Sequence, residues 1–351
     1  MSLFYLTFTF LIISNIILKK CPNGRKYFCI LSCGIYFLIA ALRGRVVGYD
    51  TDIYVKSFER LADQKFLAAM FYSDKDYVFW GFLALIGKVT TNYTILFIIV
   101  NGFFCFSVWH FIYKYSYDPC LSVIVLLSFN LFQFSITGMR QTIAMGCIVW
   151  AIDYLYKRKL LITIICILIA SLFHQSALIC LIFIPIFFYH NKLGYKQATA
   201  AVVFLVATFS FKNKIAQSLN FLIKSRKYEI AISDGGLTMT FVVFMVFLLG
   251  CLFIKEYTSE DNNSKSKVTF LIAICACFFE MLVSTQSIFF RVAFYFLVVY
   301  IIYVPNVVYS IRNRNSRSLV KISIYLLLSL QYLFFTVGSC GIYPYITFWQ
   351  M

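Results

Sequence analysis

A dozen apolar stretches of about membrane-spanning length follow one another along this 351-residue chain, and most of the polar residues between them fall at segment ends. A helix needs roughly 20 apolar residues to cross a bilayer, fewer when its flanks snorkel. On that rule the spans are 2–18, 27–42, 93–113, 120–137, 140–156, 160–173, 175–190, 197–211, 237–254, 268–287, 289–305 and 322–338. A chain that is 62% hydrophobic and 13% charged has too little polar surface to hide such runs in water. The expected fold is therefore all-α, a polytopic transmembrane helical bundle of about 12 spans in a single integral membrane domain, 1–351.

Lys and Arg in the short loops set the orientation. The first apolar run is followed by Lys19, Lys20, Arg25 and Lys26, the reverse of a cleavable signal peptide, so it is expected to be retained with the N-terminus outside. Segment 78–87 has only about ten apolar residues and reads as a short re-entrant or interfacial helix. Counting it as a span would turn Lys157, Arg158 and Lys159 outward. With that choice, loops 19–26, 114–119, 157–159, 191–196, 255–267 and 306–321 are cytoplasmic and hold 17 of the 31 Lys and Arg residues. Two long outer segments, 43–92 and 212–236, hold most of the others, and both termini end outside. The net charge of +17 reads as topology and attraction to a lipid surface, and no soluble basic domain exists to hold a nucleic acid.

The 12 cysteines are scattered, mostly inside apolar spans, and lack zinc-site spacing. There is no phosphate-binding P-loop and no dinucleotide glycine fingerprint. No cofactor and no metal are expected.

Chemistry-bearing residues gather at the outer ends of spans. After the second span, LRGRVVGYDTDIY places Arg43 and Arg45 just before Asp50, Asp52 and Tyr54. Ordinary salt bridges of a solvated loop account for such a group. So does a site gripping a sugar or a diphosphate, with planar guanidinium forks on phosphate oxygens and a carboxylate on a hydroxyl. The Asp-Thr-Asp spacing also matches metal-binding carboxylate pairs of nucleotide-sugar enzymes, a minor alternative because only two carboxylates are present. Arg140 and Gln141 sit at the turn between two spans, where the competing account is an Arg snorkelling to the head groups. His174 follows another span end and can hydrogen-bond within a turn, donate to a phosphate or act as a base. His110 and His190 fall at inner helix ends and are not selected. Glu280 lies inside an apolar span, and Arg291 and Tyr295, four residues apart, share a helix face near the outer side. Asp153, a turn before Lys157, reads as a structural partner at the inner face.

Taken in order, these segments resemble the EpsG family of membrane proteins, grouped with Wzy-type polysaccharide polymerases. The resemblance runs through VGYDTDIY (47–54), TGMRQTIAMG (137–146), KRKLL followed by ASLFHQSAL (157–178), FFRVAFYF (289–296) and GIYPYITFW (341–349), with no comparable motif in 197–236. It implies joining of undecaprenyl-diphosphate-linked oligosaccharide repeat units, donor and acceptor alike, on the outer face of the bacterial cytoplasmic membrane. A flippase and a chain-length regulator are the protein partners it implies. Arg140 and Arg291 would then clamp the diphosphate with Arg43 assisting, while His174, Asp50 and Asp52 are unranked candidates for the base. Arg45, Gln141 and Glu280 join the substrate-binding set. Tyr54, Tyr295, Tyr343 and Tyr345 would stack on sugars or hydrogen-bond to them, although membrane anchoring explains tyrosine equally well. A flippase for the same lipid-linked glycan should carry its charges along a path near the midplane. A membrane ligase or acyltransferase acting on the glycan would keep the outward site and change only the acceptor.

Overall fold

The computed structural model describes residues 2–223, 235–259, 263–286 and 288–350, whose regular elements are all helices, with no strand among them beyond one isolated bridge between Arg43 and Thr347. The middle of the expected outer segment 212–236, the centre of the expected loop 255–267 and the last residue of the expected span 268–287 lie outside the described residues. Two compact units emerge, one formed by 1–181 with 328–351 and the other by 182–327.

The first unit contains α1 (Ser2–Leu18), α2 (Gly24–Ala41), α3 (Thr51–Leu61), α4 (Phe66–Met70), α5 (Tyr77–Gly87), α6 (Tyr93–Tyr115), α7 (Pro119–Ser128), α8 (Leu131–Thr137), α9 (Met139–Tyr156) and α10 (Leu160–Phe173). Local chemistry sets several starts. Asn92 accepts the Thr94 N–H at the head of α6, and Asp118 caps α7 with Pro119 in its first turn. Asn130, at φ 58°, bends the expected span 120–137 by 56° between α7 and α8. Helices α9 and α10 form an antiparallel hairpin, and α9 lies closely on α6 because Gly146 meets the Phe103 ring where a Cβ would come to 2.6 Å.

The C-terminal residues strap the corner after α2. Gly44 N–H donates to Ile346 O at 2.7 Å, Gly48 N–H to Gly341 O at 2.8 Å, and Phe348 N–H to Leu42 O at 3.0 Å. Tyr345 Oη donates to Ile39 O at 2.8 Å. Gly48 adopts φ 100°, which lets Thr51 reach back to Val47 O at 2.7 Å and start α3.

The second unit contains α11 (Phe183–Phe188), α12 (Tyr195–Ser210), α13 (Lys212–Ile223), α14 (Gly235–Leu252), α15 (Ile254–Ser259), α16 (Asn263–Val283), α17 (Ile288–Leu297) and α18 (Tyr300–Ser310). Its core includes Phe247, Tyr300 and Tyr303, whose hydroxyls reach Cys277 Sγ at 3.0 Å (Tyr300) and Phe247 O at 3.2 Å (Tyr303). Helix α19 (Arg314–Gln331) carries the chain from this unit back into the first.

By length and composition, four helices among the described residues are able to cross a membrane: Gly24–Ala41, Tyr93–Tyr115, Ser264–Val283 and Arg314–Thr336. Counting each of three bent pairs as one span raises the number to seven, and five more apolar helices are shorter, at 10–17 residues. The expected number of about 12 is thus not reached on this measure, because several segments are broken or short. The stretch 175–190, expected as a span, is a 3-10 turn, Gln175–Ile182, followed by α11. The short helix expected at 78–87 is α5, whose 11 residues extend about 16 Å, half the hydrocarbon thickness.

Candidate functional site

Arg140 stands in the first turn of α9 and His174 at the C-terminal cap of α10, so the hairpin brings both to one end of the first unit. Asp153 lies 13 residues further along α9, about 20 Å away at 1.5 Å per residue. There its buried carboxylate takes Lys114 Nζ at 2.6 Å, Tyr115 Oη at 2.6 Å and the Lys157 ammonium, the structural role expected for it. One helix therefore has a polar centre at each end.

At the Arg140 end the meeting point is Asp76. Its Oδ2 accepts from Arg140 Nη1 at 2.8 Å and lies 3.1 Å from His174 Nδ1, while its Oδ1 accepts the Gln175 backbone N–H at 2.9 Å. Asp76 precedes α5, the position where an aspartate ordinarily caps its own helix, yet its side chain makes no capping bond. A left-handed backbone, φ 58° and ψ 42°, accompanies this diversion of the carboxylate toward α9 and α10. The side chain is 3% exposed. Burial alone would raise its carboxyl, but the hydrogen bond from His174, the Gln175 N–H and the Arg140 charge act against that, and the carboxyl is held below the usual carboxylate range.

Arg140 is fixed from a second side. Its Nε donates to Tyr54 Oη at 3.2 Å, and its guanidinium carbon lies 5.4 Å from the Trp80 ring centroid and 5.8 Å from that of Tyr54. These contacts occupy Nε and Nη1. Nη2 has no hydrogen-bond partner among the described residues, and the side chain is 24% exposed. Nε2 of His174 is likewise without a partner among the described residues, in a side chain 13% exposed. An anchored guanidinium with an open edge is preorganised for an anion, and an imidazole braced through Nδ1 presents its second nitrogen.

The other sequence-selected residues divide. Asp50 lies in the electrostatic field of Arg140, and its backbone N–H donates to Thr137 Oγ1 at 2.9 Å. Asp52 instead pairs with Lys56 at 2.6 Å and Arg45 at 2.7 Å, and Arg45 also reaches Glu59 at 3.0 Å. Lys56 and Arg45 hold the Asp52 carboxyl below the usual range, which makes it a poor base. This is the salt-bridged surface network, separate from Asp76.

Arg43 is corrected outright. It is fully buried, donates to Ala40 O and, at 2.6 Å, to Ile136 O, and lies 4.0 Å over the Phe97 ring. It braces main chain instead of assisting at a diphosphate. Tyr54 is also buried, and its hydroxyl serves Arg140, so its ring does not present a face to a sugar. Tyr345 is tied to Ile39, whereas Tyr343 is exposed. Gln141 is buried beside Arg140.

Glu280, Arg291 and Tyr295 belong to the second unit. Glu280 is buried in α16, with no ion pair among the described residues, and its main-chain oxygen accepts from Thr240 Oγ1 at 3.1 Å. On α17, Arg291 is half-buried with its guanidinium carbon 5.8 Å from the Phe290 ring centroid, and Tyr295 is fully buried, which removes it as a stacking surface.

Asp76 is absent from the sequence-selected set. The available signal was an acid immediately before the apolar run 77–87, and that pattern is the ordinary mark of a helix start. Among the described residues no three His, Cys, Asp or Glu side chains gather as a metal site.

No match was found among curated proteins or among solved structures. The model of one family does match, over residues 26–347, nearly the whole chain and all of the Asp76 centre. This integral membrane protein of polysaccharide biosynthesis belongs to the EpsG family, a Wzy-like polysaccharide polymerase family.

Proposed function

We propose that the protein is a polymerase that joins undecaprenyl-diphosphate-linked oligosaccharide repeat units at the outer face of the cytoplasmic membrane. The observation that carries this reading is the Arg140 guanidinium, anchored by Asp76 and Tyr54 with its Nη2 edge open. Breaking a sugar–diphosphate bond places negative charge on the leaving group. A cation fixed in advance stabilises that charge more in the transition state than in the ground state. The growing glycan leaves its lipid carrier and passes to the terminal sugar of another lipid-linked unit. Within the second unit Arg291 is a separate candidate for a phosphate group, and within the first unit exposed Tyr343 is one for a sugar. A flippase that delivers the unit and a regulator of chain length are the protein partners of this activity.

The test is a deletion strain complemented with wild type, Arg140→Ala or Arg291→Ala, with membrane abundance matched and surface glycan resolved by size on a gel. The expected outcome is a ladder for wild type and a single repeat unit for Arg140→Ala, reflecting at least about a 100-fold loss of rate. Loss of even the single unit in the deletion strain would make export the better reading. A ladder that persists in the deletion strain would end the polymerase assignment.

A further inference from the structure

Three donors converge on Asp76, and their arrangement ranks the candidates for the base. We propose that Asp76 is a positioning residue that fixes the His174 proton on Nδ1 and leaves Nε2 as the base for the acceptor sugar hydroxyl. The inference rests on the polymerase reading and adds to it the group that accepts the proton.

The argument begins with the carboxylate. Asp76 receives a guanidinium N–H at 2.8 Å and a backbone N–H at 2.9 Å, both of which stabilise its ionised form, and that form offers only lone pairs. The His174 nitrogen 3.1 Å from the same Oδ2 must therefore bring a hydrogen. A neutral imidazole has one N–H, so the lone pair falls on Nε2. Main-chain bonds hold the backbone that carries the ring, since His174 N–H donates to Ala170 O at 2.9 Å and its carbonyl accepts from Ala177 N–H at 2.9 Å. The charged groups around the ring are Asp76 before α5 and Arg140 on α9, with Asp50 acting on Arg140; α10 and the following 3-10 turn carry no charge of their own. Asp52, bound to Lys56 and Arg45, does not compete for this role.

In the step itself, Nε2 takes the proton of the acceptor hydroxyl while that oxygen forms a bond to the anomeric carbon of the donor. The bond from that carbon to the phosphate oxygen breaks, and its electron pair leaves with the lipid diphosphate. The imidazolium faces the Asp76 anion until the proton passes to solvent. No oxidant, reductant or further reactant is needed.

The test uses membrane vesicles from the deletion strain, loaded with the lipid-linked repeat units that accumulate there, and carrying the full-length wild type, Asp76→Asn, Asp76→Glu or His174→Gln. Initial rates of ladder growth are followed from pH 5 to 9 with protein abundance and thermal stability matched. Wild type is expected to lose rate on the acid side. His174→Gln should lower kcat about 100-fold, keep KM for the repeat unit within twofold and abolish the acid limb. Asp76→Asn should lower kcat at least about tenfold and move the acid limb to lower pH, because the imidazolium loses its counter-charge. Asp76→Glu, which keeps the charge, should leave the limb closer to its wild-type position. An unchanged limb in Asp76→Asn with a raised KM would overturn the inference and leave Asp76 serving Arg140 alone. A wild-type rate in His174→Gln would overturn it as well. Either result with an intact wild-type ladder leaves the polymerase reading standing, whereas no ladder from wild-type vesicles removes that reading first.

Discussion

Asp76 combines a buried anion with a left-handed backbone, and each property limits what can replace it. Asparagine tolerates that backbone better than alanine and keeps the volume, so Asp76→Asn isolates the charge. The Asp76 carboxyl is held below its ordinary value, so its stabilising contribution is present above the unfolded value near about pH 4 and is lost as pH falls through the folded one. The gap in Tm between wild type and Asp76→Asn, measured in detergent, should be open at pH 7 and close below about pH 4. A gap independent of pH would remove the linkage. Arg43 makes the opposite case. Arg43→Ala takes the guanidinium donor from Ala40 O and leaves Ile136 O with only the longer Thr51 hydroxyl contact at 3.4 Å, and should destabilise by about 1–3 kcal/mol, reducing membrane abundance. Catalysis per surviving molecule should stay near wild type. In sequence the two guanidiniums near the outer loops looked alike, because what separates Arg43 from Arg140 is whether neighbouring main chain or open space receives the N–H groups.

At the scale of elements, the α9–α10 hairpin was legible. Two apolar runs joined by Lys-Arg-Lys put Arg140 and His174 at the same end, and a basic turn at the other end follows from charge and periodicity alone. The third member was not legible, since its place depends on where α5 packs on α10, a long-range contact with no local signal. The bends were equally hidden, because a run such as 120–137 stays apolar through Asn130 and its hydrophobicity carries no record of direction. The second glycine of TGMRQTIAMG does have a physical reading. A Cβ at Gly146 would meet the Phe103 ring at 2.6 Å, so Gly146→Ala should cost about 1–3 kcal/mol as α6 and α9 separate or the ring turns. Thermal unfolding of the purified variant checks this, and an unchanged Tm would show that the helices yield without cost.

For the whole molecule, the sequence established a helical membrane protein and left the number of crossings to geometry. Orientation is open to a direct measurement, because Cys21 alone among the 12 free cysteines is exposed and a Cys21→Ser background serves for surface labelling. Cysteines placed at Lys75 and Thr91 should react with an impermeant reagent on intact cells, and one placed at Lys159 only after permeabilisation. Opposite labelling of 75 and 91 would make α5 a crossing and invert every helix after it. The C-terminal strap also imposes an order on biosynthesis. The corner that leads into Asp50 and Tyr54 takes its hydrogen bonds from residues 340–348, and the tie between Tyr345 and Ile39 spans 306 positions of chain. A ribosome has therefore delivered nearly every helix to the membrane before that corner can close, and a nascent chain halted earlier is inserted but unfinished. Closure of the corner is thus a late event in the life of each molecule, completed only when residues 340–348 reach a segment made about 300 positions earlier.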